Sequence, residues 1–116
     1  MNNSENNQIS FISVESVKNY AMNQTATIID VREQHEWDDG HVPNAILIPL
    51  SRFQLADLPT QSRETIILYC RSGRRCGLAA NIMVKEGYKK RIYRMKGGII
   101  EWETKGFKKI MNKNQN

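Results

Sequence analysis

The 116-residue chain has few of the features that mark exported or membrane-bound proteins. It contains 2 Cys, too few for the disulfide framework that stabilises many small secreted domains. Its apolar runs fall well short of the ~20 residues that a membrane-spanning helix needs. Four of its first eight residues are Asn, and the segment lacks the basic-then-apolar order of a secretory signal. We therefore expect a cytoplasmic protein with no membrane partner, whose thiols are reactive, metal-bound or simply buried.

Enough apolar residues are present to fill one small core. Hydrophobic residues make up 40% of the chain and include 3 Phe, 4 Tyr and 2 Trp, which excludes disorder of the whole chain. No internal repeat and no Gly/Ser-rich or Pro-rich linker divides the sequence. We predict a flexible amino terminus over residues 1–8, one domain over residues 9–107 and a flexible basic tail over residues 108–116.

Positive charge is concentrated in the second part of the chain. Residues 1–70 carry 4 basic and 9 acidic side chains, a net charge of −5, whereas residues 71–116 carry 13 basic and 3 acidic side chains, a net charge of +10. This second part should attract anions. Because no nucleic-acid-binding motif accompanies the charge, we expect no specific binding of nucleic acid.

The hydrophobic pattern predicts strands that alternate with helices. Strands are predicted over residues 9–12, 27–31, 46–48, 65–69 and 92–93. Helices are predicted over about residues 14–23, after Gly73 as far as Gly87, and between Gly97 and Gly106. This alternation is typical of an α/β fold with three layers, in which a central, mainly parallel sheet is flanked by helices. Ligands bind such sheets outside the carboxyl ends of the strands, where Cys70 follows the strongest strand.

The loop from Cys70 to Arg75 carries the residues that indicate chemistry. A thiol between a buried strand and the start of a helix faces unpaired backbone N–H groups and the positive end of the helix dipole. Three arginines in the same loop add positive charge, so we expect the pKa of Cys70 to be lowered. The same N–H groups suit an incoming oxyanion. The loop therefore predicts a nucleophilic cysteine that attacks an anionic substrate, with a buried structural cysteine as the alternative.

Three motifs occur along the chain. The first comprises Asp30-Val31-Arg32, Glu36-Trp37 and residues 40–49, the second is Cys70-Arg71-Ser72-Gly73-Arg74-Arg75, and the third combines Gly97-Gly98 with Trp102. In that order they resemble the first signature, the active-site loop and the closing signature of the rhodanese family of sulfurtransferases. The motifs occur in the right order and spacing, and the resemblance covers about residues 9–107.

The resemblance implies a rhodanese-like fold and transfer of sulfane sulfur through a persulfide on Cys70. The Cys70 thiolate would attack the outer sulfur of thiosulfate or a similar anionic donor, and sulfite would leave. Cyanide or a thiol, on a small molecule or on an acceptor protein, would then remove the sulfur. No metal or organic cofactor is required. The donor and the persulfide would be held by the loop residues Arg71, Ser72, Gly73, Arg74 and Arg75.

One residue departs from the family pattern, and three others, Cys76, Asp30 and Arg32, have two interpretations each. Asn44 stands where the family often has Gly, and asparagine tolerates a left-handed backbone. Cys76 is either a small buried side chain on the first turn of the helix or a thiol that traps the persulfide as a disulfide. Asp30 and Arg32 are candidate supporting residues that either orient the loop or close a turn beside each other.

Other functions of the same scaffold are a non-catalytic protein-binding module and, less favoured, a phosphatase or arsenate reductase. Binding modules often lack the cysteine, which is present in this chain. Related phosphatases have one residue more between the cysteine and the arginine than the four that separate Cys70 from Arg75. A smaller ring of N–H groups suits a single sulfur atom better than a phosphoryl group.

The spacing of the His and Cys residues does not favour a metal site. His35 and His41 are six positions apart, as are the two cysteines, whereas zinc ligands are usually separated by two to four residues. We therefore expect no metal, an exposed His35, and a His41 that anchors the turn beginning at Gly40. Trp37 and Trp102 are interpreted as core residues.

Overall fold

The structure, a computed structural model, describes residues 8–59 and 65–111. Its strands are β1 (Ile9–Ile12), β2 (Thr27–Asp30), β3 (Ile46–Leu47), β4 (Ile66–Tyr69) and β5 (Ile92–Met95). Its helices are α1 (Val14–Asn23), α2 (Gln34–Asp38), α3 (Arg74–Lys85) and α4 (Gly98–Thr104). Short 3-10 turns cover Leu50–Arg52 and Leu55–Asp57. The bounds of the predicted strands differ from these by at most two residues.

The five strands form one sheet in the order β1-β5-β4-β2-β3, and every neighbouring pair is parallel. The prediction of a central parallel sheet flanked by helices is confirmed. Strand β4 lies in the middle, and all four of its residues are buried, as a continuous apolar run predicts for a parallel strand covered on both faces.

Helices cover both faces of the sheet, which gives three layers. Because successive side chains of a strand point to opposite faces, Ile66 and Leu68 of β4 pack with α3, whereas Ile67 and Tyr69 pack with α1 and α4. Trp102 of α4 is 1% exposed and belongs to the second cluster, as expected for a core aromatic. Within the described residues no helix is both long and apolar enough to span a bilayer.

The helix boundaries follow from local hydrogen bonds. The Ser13 hydroxyl accepts a hydrogen bond from the Ser16 N–H at 3.1 Å and so caps α1, as predicted. Helix α2 was not predicted, because it buries none of its five residues and so has no apolar periodicity. It begins with a capping box, in which the Glu36 carboxylate accepts from the Glu33 N–H at 2.9 Å.

The described residues just outside the predicted domain, at both of its ends, form hydrogen bonds with it. The Ile110 and His41 backbones pair with each other at 2.8 and 2.9 Å, and the Trp102 indole N–H donates to the Lys108 carbonyl at 3.0 Å. The Gln8 carbonyl likewise accepts from the Ile92 N–H at 2.7 Å. Gln8, Lys108 and Ile110 are therefore each hydrogen-bonded to the domain, which a polar sequence does not reveal, while residues 1–7 and 112–116 of the predicted flexible ends lie outside the described residues.

Candidate active site

Cys70 stands directly after β4, at the carboxyl edge of the sheet and near its centre, as predicted. The residue is only 1% exposed. The chain turns at once into α3, whose first residue is Arg74. Gly73 precedes this helix with φ +131°, a conformation that a side chain would strain. The tight turn therefore brings the start of α3 up against the cysteine.

Helix α4 binds the outer side of the same turn. The N–H groups of Ile99 and Ile100 donate to the carbonyls of Cys70 and Arg71 at 3.0 and 3.2 Å. Gly98 makes this approach possible, because a Cβ atom there would lie 2.2 Å from the Arg71 carbonyl oxygen. The glycine pair of the closing signature thus fixes the loop that begins at Cys70.

Several hydrogen-bond donors converge on the Cys70 sulfur. The Gly73 N–H lies 3.1 Å from Sγ. A hydrogen bond from the Cys76 thiol is the largest cause that lowers the pKa of Cys70 to about 5, and the backbone N–H groups of Cys76, Gly73 and Arg75 add to it against the opposing effect of burial. The expected thiolate is therefore stabilised mainly by local donors rather than by the charge of the arginines.

Cys76 is a buried side chain on the first turn of α3, which agrees with the first of its two interpretations. It is 0% exposed, and its Sγ lies 3.2 Å from the Gly73 carbonyl oxygen, while its one proton is directed to the Cys70 thiolate. Its hydrogen bond to Cys70 and its burial raise its pKa, so Cys76 stays protonated beside the Cys70 thiolate. Both cysteines are free.

The arginines of the loop occupy different environments. Arg71 and Arg74 are exposed, as is Ser72. The Arg75 guanidinium instead binds both carboxylate oxygens of Glu36 at 2.8 and 2.9 Å, and this pair lowers the pKa of Glu36 to about 2. Arg75 therefore contributes its backbone N–H to the sulfur, while its side chain forms an ion pair with Glu36 of α2.

Arg94 of β5 is a residue of the site that the sequence analysis missed. Its Nη2 donates to the Gly73 carbonyl at 2.7 Å, and its guanidinium lies 4.5 Å from the centre of the Phe11 ring. Gly77 leaves room for it, since a Cβ there would lie 2.8 Å from Nη2. The only available signal was a charged residue beside the apolar run of a predicted strand.

Asp30 and Arg32 form a buried ion pair with 2.7 Å between Oδ2 and Nη2. The same Nη2 donates to the Gly40 carbonyl at 2.8 Å, so the pair closes the turn that follows β2. Asp30 also acts on Tyr69, whose pKa is raised by burial and then by this carboxylate. The structure thus places the pair beside the residue that precedes Cys70.

Neither histidine has a described contact with the Cys70 loop. His41 is buried, contacts the Val42 carbonyl through Nδ1 at 3.0 Å, and stacks on Trp37 with 3.5 Å between ring centres. His35 is exposed, as predicted. Asn44 adopts the expected left-handed backbone with φ +66°. Among the residues that the structure describes, no three His, Cys, Asp or Glu side chains form a group that could hold a metal ion.

Residues 13–105 match the profile of the rhodanese-like domain family. The chain belongs to this family. This rhodanese-like domain is 34% identical to protein hp1203 from Helicobacter pylori 26695, with a TM-score of 0.70 over 91% of this chain and 96% of that one. The fold and family expected from the motifs are therefore confirmed.

Two curated relatives are longer than this chain. YrkF of Bacillus subtilis (strain 168), provisionally named a sulfur carrier protein, is 33% identical over 81% of this chain and 51% of its own length. The tRNA uridine(34) hydroxylase of Buchnera aphidicola subsp. Baizongia pistaciae is 32% identical over 84% of this chain and 33% of its own length. This rhodanese-like domain thus spans about a third to a half of these relatives.

We predict that Cys70 titrates with a midpoint near pH 5 in the folded protein, because local donors favour its thiolate. The ultraviolet absorbance of the thiolate, taken as wild type minus Cys70→Ser, measures this midpoint. In the unfolded chain the midpoint should return to about 8.5. The resulting stabilisation is complete above the unfolded-state pKa and is lost as the pH falls through the folded-state value. A folded midpoint at or above neutral pH would contradict the assigned contacts.

We predict that Gly98→Ala costs about 2–4 kcal/mol, because the new methyl group meets the Arg71 carbonyl as well as a left-handed backbone. Gly106→Ala is the matched control: its φ of +76° is similar to the +65° of Gly98, but no atom lies within 4 Å of the added Cβ. The control should cost only about 1 kcal/mol. Denaturant unfolding measures both losses, and equal losses would exclude a special role for the contact with the loop.

Proposed function

We propose that the protein is a sulfurtransferase that carries sulfane sulfur as a persulfide on Cys70, from an anionic donor such as thiosulfate to cyanide or a thiol. The observation that carries this proposal is the Cys70 sulfur in a ring of donors, where its pKa is lowered to about 5. A thiolate at neutral pH is the nucleophile that sulfur transfer needs. The relative that is provisionally named a sulfur carrier supports the same chemistry.

The reaction divides into two displacements. The Cys70 thiolate attacks the outer sulfur of thiosulfate, the S–S bond of the donor breaks, and sulfite leaves with the bonding electron pair. The enzyme persulfide then carries one negative charge on its outer sulfur. An acceptor such as cyanide attacks that sulfur, forms thiocyanate and returns the Cys70 thiolate. Neither displacement requires a metal or an organic cofactor.

The loop supplies electrostatic stabilisation for both states of the sulfur. The N–H groups of Gly73, Arg75 and Cys76 act on Cys70 from a turn that α4 holds in place. Fixed dipoles of this kind stabilise a developing negative charge without having to reorient during the reaction. We assign Arg71 and Arg74, which are exposed beside this turn, to the attraction of the anionic donor.

The alternatives have less support. A phosphatase of this architecture would use the last arginine of the loop on the phosphoryl group, whereas the Arg75 side chain binds Glu36 through two hydrogen bonds. A non-catalytic module has no need of a thiolate that is stabilised by several converging donors. The activity of the hydroxylase relatives belongs to proteins about three times as long, and we do not transfer it to this chain.

We predict that thiosulfate loads one sulfur atom onto the wild-type protein and releases one sulfite, and that Cys70→Ser does neither. Serine has nearly the size of cysteine but is a far weaker nucleophile at neutral pH. Mass spectrometry of the intact protein, sulfite release and circular dichroism of both proteins provide the test. A folded wild-type protein that releases no sulfite from thiosulfate, or a Cys70→Ser variant that turns over normally, would refute the proposed function.

We predict that Arg71→Ala and Arg74→Ala each raise KM for thiosulfate about two- to fivefold, with little change in kcat. The reason is that exposed charges act mainly on the association of the anionic donor with the protein. Lys85→Ala is the matched control, since it removes the same charge at the other end of α3, about 16 Å from Arg74. High salt should abolish the difference. An equal rise in KM for a neutral sulfane donor, or for Lys85→Ala, would argue against recruitment by the loop arginines.

A further inference from the structure

The second thiol of the chain lies against the candidate nucleophile. One residue, Gly73, contacts both sulfurs: its N–H lies 3.1 Å from Cys70 Sγ, and its carbonyl oxygen lies 3.2 Å from Cys76 Sγ. The two cysteines also belong to the same buried cluster. Cys76 therefore does more than pack in the core, because its sulfur lies next to the Cys70 sulfur that would carry the persulfide.

The burial of Cys76 sets the direction from which it can act. Its side chain is fully buried, on the core side of the loop. The outer sulfur of a persulfide on Cys70 must extend the other way, toward solvent, to meet a donor or an acceptor. With the outer sulfur on the solvent side, Cys76 would stand on the opposite side of Cys70 Sγ, which is the side from which a thiol displaces that sulfur.

Arg94 provides a positive charge on the Cys76 side. Its Nη2 donates to the Gly73 carbonyl at 2.7 Å, the same oxygen that lies 3.2 Å from Cys76 Sγ. Its buried Nε has no hydrogen-bond partner among the described residues. In the resting site the Cys70 thiolate keeps Cys76 protonated. A persulfide moves that negative charge outward by one sulfur atom, while the Arg94 charge stays in place and favours the Cys76 thiolate.

We propose that Cys76 is a resolving thiol that releases the sulfur of the Cys70 persulfide as sulfide. Cys76 Sγ attacks Cys70 Sγ, a Cys70–Cys76 disulfide forms, and the S–S bond of the persulfide breaks. The outer sulfur leaves with the electron pair as hydrosulfide and takes up the proton of Cys76. The cysteine pair is oxidised by two electrons, and the sulfane sulfur is reduced by two.

This activity specifies a class of partner as well as a product. The disulfide must be reduced before the next cycle, so turnover requires a dithiol reductant that exchanges with Cys70. The proposal rests on the proposed function for its persulfide. It adds that, without an external acceptor, the loaded protein releases its persulfide sulfur as hydrosulfide. This happens once, because the Cys70–Cys76 disulfide then blocks a second cycle.

The test uses the full chain, reduced, freed of reductant and kept anaerobic. Wild type and Cys76→Ser are loaded with thiosulfate in one arm and with inorganic polysulfide in another, and excess donor is removed. Intact mass follows the added sulfur, and a sulfide assay follows its release. Trypsin cleaves between the cysteines at Arg71, Arg74 and Arg75, so a disulfide appears as peptides 64–71 and 76–85 joined together.

We expect wild type to lose its added sulfur, release one sulfide per chain and yield the joined peptides. Cys76→Ser should keep its persulfide about tenfold longer or more, because a hydroxyl cannot resolve it. Cys76→Ala replaces this variant if the serine protein does not fold. A wild-type persulfide that lasts as long as that of the variant, or sulfide release without joined peptides, overturns the resolving role.

The two arms separate this inference from the proposed function. Discharge after polysulfide loading, with no loading by thiosulfate, supports the resolving thiol and removes thiosulfate as a donor. Loading by thiosulfate without discharge supports the sulfurtransferase and overturns the role of Cys76. If neither donor adds sulfur to Cys70, both proposals fail.

Discussion

The contact between the start of α4 and the turn at Cys70 is the constraint on which the site depends. A chain that leaves a buried strand in a tight turn exposes carbonyl groups as well as N–H groups, and a carbonyl directed at the sulfur would repel its negative charge. The N–H groups of Ile99 and Ile100 bind the carbonyls of Cys70 and Arg71. The donors of the following residues are then left for the sulfur, and this close approach requires a residue without a side chain at Gly98.

Local hydrogen bonds and exposed charges have separate parts in this site. The N–H groups around Cys70 are held by the turn and by the first turn of α3, so they need no reorientation to act on the sulfur. Water screens the exposed side chains of Arg71 and Arg74, and the charge of Arg75 is balanced by Glu36. The arginines that drew attention in the sequence are therefore better suited to an arriving anion than to the resting thiolate, which the backbone already stabilises.

Local sequence patterns predict the strands and the position of Cys70. They do not predict contacts between residues that are far apart in the chain. Apolar β-branched runs identified the parallel strands, and the end of the central strand located Cys70. The ion pair of Arg75 with Glu36 joins residues 39 positions apart, and nothing local indicates it. Arg94 was overlooked because a strand pattern shows that a residue is present in the sheet but not which loop it reaches. The pairing of Ile110 with His41 uses backbone groups alone, which no side-chain pattern can reveal.

Two thiols in one buried site share a single negative charge. The proton of Cys76 stabilises the Cys70 thiolate, and by reciprocity that thiolate holds the proton on Cys76. Burial opposes a second charge, so the resting pair has one nucleophile and one donor. Adding a sulfur atom to Cys70 moves the charge outward and weakens this coupling, while Arg94 remains beside Cys76. The hydrogen bond that stabilises the empty site is therefore the one whose loss frees the second thiol when the site is loaded.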